Sequence, residues 1–223
     1  MSSRSVMLLA AFAGFFLALA GVTFLLWQPP SSATGSVEAM AVHLCDHQEA
    51  NIVYAISVFL SVILILPVIL ILTFRLYPKH PNGAIVAGSF FVLGSILETV
   101  ATLGSLSQWA FAVPEASKGN PLGITLYQTL NVQYLAVDFS GVGLIYVAAV
   151  IYAFILWRLH RPSSTLLLLS VGLLFMGFAA VPIIPSIGSF ITAGSIVLYG
   201  ITYVALGKAA IKLKSNEDVI HDH

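Results

Sequence analysis

Residues 52–74 read IVYAISVFLSVILILPVILILTF and carry no charged side chain. A helix rising about 1.5 Å per residue needs about 20 mostly apolar residues to cross a hydrocarbon core about 30 Å thick, so this run is long enough to span a membrane. It is continuously apolar instead of alternating, which predicts a helix and not a barrel strand. Working outward, runs of the same kind occupy 6–27, 83–106, 132–157, 165–182 and 186–206, the fifth being the shortest. The expected fold is therefore all-α: one polytopic membrane domain, 1–223, of six transmembrane helices. Between them lie external loops at 28–51 and 107–131, and a polar tail follows at 207–223.

Composition agrees with a lipid environment. Of the 223 residues 59% are apolar and 8% charged, against about 45–50% and about 25% in a soluble domain. Nine basic residues balance nine acidic ones, so no basic face exists for nucleic acid, and the bilayer itself is the expected partner. A single cysteine, Cys45, excludes an internal disulfide, and it reads as a small interfacial residue with no flanking cation to activate it.

The cations set the orientation. Arg4, Arg75, Lys79, Arg158, Arg161, Lys208, Lys212 and Lys214 fall on one side of the threaded chain, and Lys118 alone on the other. The positive-inside rule then places both termini in the cytoplasm of a multi-pass cell-membrane protein. The first span has Arg4 ahead of it but is longer than a signal-peptide core, so it reads as a retained anchor, with residues 29–33 (PPSSA) the alternative processing site.

Ionisable residues inside a span are costly unless they are paired or face a wet cavity, which makes each one a candidate functional group. Glu98 lies roughly 15 residues into the third span and Asp138 roughly six into the fourth, so two antiparallel spans bring their carboxyls to one depth in the outer half. Small or weakly polar Gly94, Ser95, Ala101, Thr102 and Ser105 share the face of Glu98. Asn131, Tyr134, Asp138 and Gly141 form a stripe on the fourth span, and Gly188, Thr192, Ser195, Tyr199 and Thr202 another on the sixth. The bland alternative for Glu98 is a structural carboxyl hydrogen-bonded to a serine or a backbone carbonyl.

Ahead of the second span stands His43-Leu44-Cys45-Asp46-His47-Gln48-Glu49-Ala50-Asn51. If this segment runs as one helix into the span, His43, His47, Asn51 and Tyr54 share a face. Two histidines one turn apart could hold zinc or another divalent metal, with Asp46, Glu98 or Asp138 completing the site. The order of residues matches no zinc-enzyme motif, and no cofactor is otherwise implied. Solvated loop residues are the competing reading.

Other features have structural readings. Trp27, Trp109 and Trp157 lie at span ends, where headgroup anchoring accounts for them. Pro67 is expected to kink the second helix, and Pro182 with Pro185 to turn the chain between the last two spans. His80 and His160 sit beside cations at span ends, unlike a haem pair, and neither a phosphate loop nor a hydrolase elbow is present. The 108–131 connection exceeds the usual about 2–8 residues; its Trp109–Val113 stretch reads either as a lid over the carboxyls or as a passive segment on the membrane surface.

At the hairpin between the second and third spans, Phe74-Arg75-Leu76-Tyr77-Pro78-Lys79, followed by the 88–98 stretch ending on the in-span Glu98, resembles a broad group of bacterial and archaeal six-span proteins catalogued as a domain of unknown function. The resemblance covers the second to fourth helices. It implies a compact integral membrane protein and transfers no activity or site residue.

Three candidate functions emerge. The first is a binding or transport protein for a small solute, cation or proton, using Glu98 and Asp138 with Tyr134, Asn131, Tyr54 and Asn51 around them. The second is a non-catalytic accessory subunit that packs small-residue faces against a membrane-protein partner or a second copy of the chain. The third, ranked last, is a metal-dependent enzyme built on His43, His47 and Asp46.

Overall fold

The computed structural model describes residues 1–27, 36–180 and 183–218, and the side chains in these ranges except those of Trp27 and 214–218. The expectations for 29–33, Pro182 and the last residues of the tail, from 219, lie outside the described residues, as does the Trp27 side chain. The elements are α1 (Ser3–Trp27), α2 (Val37–Asp46), α3 (Gln48–Leu76), α4 (Pro81–Ser107), a π-helical turn (Gln108–Ala112), α5 (Val113–Ser117), α6 (Pro121–Leu159), α7 (Arg161–Ala180) and α8 (Pro185–Asp218). Six of these helices are long and apolar enough to cross a membrane, so the chain is a multi-pass membrane protein. Large apolar side chains such as Phe74, Phe154 and Phe190 face outward over the bundle, a surface that water would not tolerate and lipid does.

The six long helices form a ring. Each packs against the next in chain order, and α8 closes against α1, while α3 also reaches α8. Where glycine removes the side chain, backbones meet directly. A Cβ on Gly14 would run into the Gly200 carbonyl oxygen, and one on Gly94 would lie 2.7 Å from that of Gly141. The first contact joins α1 to α8 and the second joins α4 to α6. The main apolar core runs along the ring interior through Ile65, Phe91, Tyr152, Leu167 and Leu206. The Tyr152 hydroxyl and Thr73 are 2.6 Å apart, tying α6 to α3.

The end of the bundle that holds the hairpins α3–α4 and α6–α7 is basic. There Arg75 donates to the carbonyl of Ala210 on α8, and the Arg161 guanidinium lies 5.2 Å from the centre of the exposed Trp157 ring. Ser163 Oγ donates to the carbonyl of Ala205 and meets His160 Nδ1 at 2.8 Å. Burial, and then the positive Lys212 and Lys208, hold the His160 imidazole below its ordinary pKa. The expected polar tail begins as more helix: Ala209, Ala210 and Leu213 are buried in the core, and Gly207 rests on Ala10. The hydropathy drop after 206 marks the end of the apolar run, and tertiary packing carries the helix beyond it.

The opposite end carries a helical cap where open loops at 28–51 and 107–131 are expected from sequence. Ser36, in an extended conformation, accepts the Ala39 N–H to start α2, and Glu38 complements the helix dipole. Instead of ending at 106, α4 continues through the π-helical turn into α5. A π-turn inserts a residue and so rotates the next stretch of helix by about 100°. Trp109, Ala112, Val113 and Ala116 thereby join Ala41, Leu44, Ala55 and Tyr127 in a second apolar cluster. Trp109 is thus a core residue of the cap, contrary to its expected place at the headgroups. The connection to α6 shrinks to Lys118–Asn120, where Gly119 takes φ +72° and Asn120 caps α6 by accepting the Leu122 N–H. With Trp109, Ala112 and Val113 buried, the stretch is not a passive segment lying on the membrane surface.

Candidate functional site

The ring holds a partly open cavity of about 280 Å³ to which all six long helices contribute. From α4 comes Glu98, from α6 Tyr134, Asp138, Phe139 and Tyr146, from α3 Tyr54, from α1 Leu17 and Phe24, from α7 Phe178, and from α8 Thr192, Tyr199 and Tyr203. The α4–α6 crossing brings both carboxyl-bearing residues to the wall of this cavity. A Cβ on Gly141 would stand 2.9 Å from the Glu98 backbone nitrogen, so helix α6 rests on α4 at Glu98 itself, three residues from Asp138. Small residues at 94 and 141 are what permit that approach.

Glu98 is 7% exposed, and among the described residues no side chain donates a hydrogen bond to its carboxyl. Its backbone carbonyl accepts from Thr102 as part of the helix. The expected serine neighbour, Ser95, is buried with its hydroxyl unpaired, so it does not provide the structural partner that the bland reading of Glu98 calls for. Among the described residues no lysine, arginine or histidine lines the cavity. Aromatic rings line it as well: Tyr146 and Tyr199 have ring centres 5.2 Å apart, as do Tyr199 and Tyr203, and Phe24 meets Tyr54 at 6.0 Å. Such a cavity offers two acidic groups and aromatic rings, and ionised carboxylates and π faces both attract a cation.

Of the residues singled out from sequence, Tyr54, Glu98, Tyr134 and Asp138 line this cavity. Asn131, two helical turns before Asp138, does not, and Asn51 is fully buried, with its amide donating to the Leu44 carbonyl at 3.4 Å and its Oδ1 unpaired. The stripe of the sixth span divides as well: Thr192 and Tyr199 line the cavity, whereas Ser170 and Thr202 meet each other at 3.2 Å between α7 and α8.

The histidine segment is not one helix with the span. His47 leaves the helical conformation with φ −111° and ψ 26°, ending α2 and starting α3. That break interrupts the single helix on which the histidines were expected to align with Asn51 and Tyr54. The two imidazole rings nevertheless stack with centres 4.2 Å apart, and His47 Nδ1 meets the His43 carbonyl at 2.9 Å, which assigns its proton to that nitrogen. Asp46 is exposed, neither histidine lines the carboxyl cavity, and among the described residues no three His, Cys, Asp or Glu side chains gather as metal ligands.

Sequence reasoning missed Phe24, Tyr146 and Tyr203. The signal was present in part, since Asp138, Val142 and Tyr146 follow one face at spacings of four, as do Tyr199 and Tyr203. Nothing local, however, says that α1 brings Phe24 to the same chamber. Comparison of the chain with protein-family models, curated proteins and solved structures finds no match.

Proposed function

We propose that this membrane protein binds a small cation in the central cavity and moves it across the bilayer in exchange for a proton. The basic end would face the cytoplasm, following the positive-inside distribution of lysine and arginine. One observation carries the reading: Glu98 is buried, accepts no side-chain hydrogen bond from the described residues and shares a cavity with Asp138 that no basic side chain among them lines. A carboxyl in that setting is neutral with its proton or charged with a cation beside it, so one species displaces the other. Glu98 and Asp138 are the exchange groups, and the Tyr54 and Tyr134 side chains border them.

The test is flux in proteoliposomes loaded with a pH-sensitive dye and given an inward gradient of sodium, potassium or tetramethylammonium. At least one of these cations should drive proton efflux from wild-type vesicles. Efflux should fall at least tenfold in Glu98→Gln and in Asp138→Asn, both near-isosteric. Equal efflux in wild type and both variants, or none above protein-free vesicles, would overturn the exchange reading.

A further inference from the structure

A second concavity adjoins the first. It is an apolar groove of about 470 Å³ between α6 and α7, bounded by Gly143, Val147, Val150, Ile151, Leu174 and Phe175. Phe139, Val142, Tyr146, Leu174 and Phe178 border both spaces, so the carboxyl chamber and the groove share a wall. The Phe139 and Phe178 rings meet edge to face at 6.0 Å on that wall. On the outer side the groove lies open where lipid would be, since Phe139, Val147, Phe175 and Phe178 are all exposed. The α6–α7 seam is also the sparsest interface of the ring.

Resting on the cation-binding reading, we propose that the ligand is a single-chain amphiphilic ammonium ion, which enters sideways from the bilayer between α6 and α7. Its head sits with Glu98, Asp138 and the tyrosine rings, and its alkyl tail lies in the groove. Charge complementarity selects the head, because two acids and several π faces meet in a chamber that no base among the described residues lines. Shape selects the tail. From Phe139 to Ile151 the groove follows α6 for roughly 18 Å at 1.5 Å per residue. An extended alkyl chain is shorter per carbon than a helix is per residue, so a dodecyl tail fits within that length. The tail runs from the carboxyls toward the opposite end of the bundle, parallel to the helices, as an acyl chain lies within one leaflet. Phe139 and Phe178 are the side chains that must part to admit the head.

Gly143 gives a clean probe, because a Cβ added there has no atom within 4 Å and projects into the groove. Radiolabelled dodecyltrimethylammonium and tetramethylammonium are titrated against the full chain in neutral maltoside micelles, with binding to empty micelles subtracted. Both should bind wild type and compete with one another, and Glu98→Gln should weaken both at least tenfold. Gly143→Leu should weaken the dodecyl compound at least tenfold and leave tetramethylammonium unchanged; Val147→Phe, at an exposed groove position, should do the same if the leucine variant folds poorly. Unchanged dodecyl binding in both groove variants, or tetramethylammonium binding without dodecyl binding in wild type, overturns the amphiphile and leaves the cation cavity standing. Tetramethylammonium binding that is indifferent to Glu98→Gln overturns the cavity reading as well.

Discussion

Alanine at Gly94 tests the crossing on which the candidate site depends. Its Cβ would sit 2.7 Å from the Gly141 carbonyl oxygen and 3.0 Å from the Ile145 backbone nitrogen, and neither atom can swing aside as a side-chain terminus could. Ordinary contact begins near 3.4 Å, so α4 and α6 must separate by several tenths of an ångström. Overpacking of this kind costs about 1–3 kcal/mol. The intrinsic gain of alanine over glycine in a helix, about 1 kcal/mol, complicates a comparison with wild type alone. Gly143→Ala supplies the control: it lies two residues past Gly141 on the same helix, with nothing within 4 Å of an added Cβ, and gains the same propensity. The difference between the two variants is therefore the packing cost. At roughly 2–4 °C per kcal/mol for a chain of this size, Gly94→Ala should melt roughly 2–12 °C below Gly143→Ala in micelles, read by intrinsic fluorescence. It should also bind tetramethylammonium more weakly, because the separation moves Glu98 relative to Asp138. Equal melting temperatures would refute the close backbone approach and, with it, the reason for the two carboxyls sharing one cavity.

Two further outcomes are expected. The depressed pKa of His160 means that the unfolded chain takes up its proton first, so the stability linked to this group is complete above the ordinary histidine pKa and is lost as pH falls through that value toward the lower folded one. Melting temperature should accordingly decline on acidification below about pH 6.5, and less steeply in His160→Gln; identical pH profiles would show that the imidazole is not coupled to folding. For orientation, with Cys45 replaced by serine, a membrane-impermeant maleimide added to intact cells should label Lys118→Cys and spare Lys79→Cys, and the reverse pattern would invert the threading.

Much of the fold is legible because lipid imposes a length requirement that apolar runs satisfy visibly. The six runs are found as six long helices, and the basic residues gather at hairpins and helix ends. The departures lie where that requirement lapses. The 107–131 segment is rich in small and polar residues and reads as a loop, yet its helix is held by contacts with α2, which is distant in sequence. The histidine pair was aligned with Asn51 and Tyr54 on the assumption of an unbroken helix, and the break at His47 depends on α2 turning to pack against α5.

The candidate site divides in the same way. Depth along a span is a matter of counting residues, so the sequence by itself determined that Glu98 and Asp138 lie in one layer, that they cost free energy there, and that glycines flank them. Rotation about the helix axis and the identity of neighbouring helices depend on contacts among residues far apart in the chain. Only the tertiary structure therefore decided that the carboxyls share a chamber, that Phe24, Tyr146 and Tyr203 complete its wall while Asn51 and Asn131 do not, and that an apolar groove adjoins it between α6 and α7.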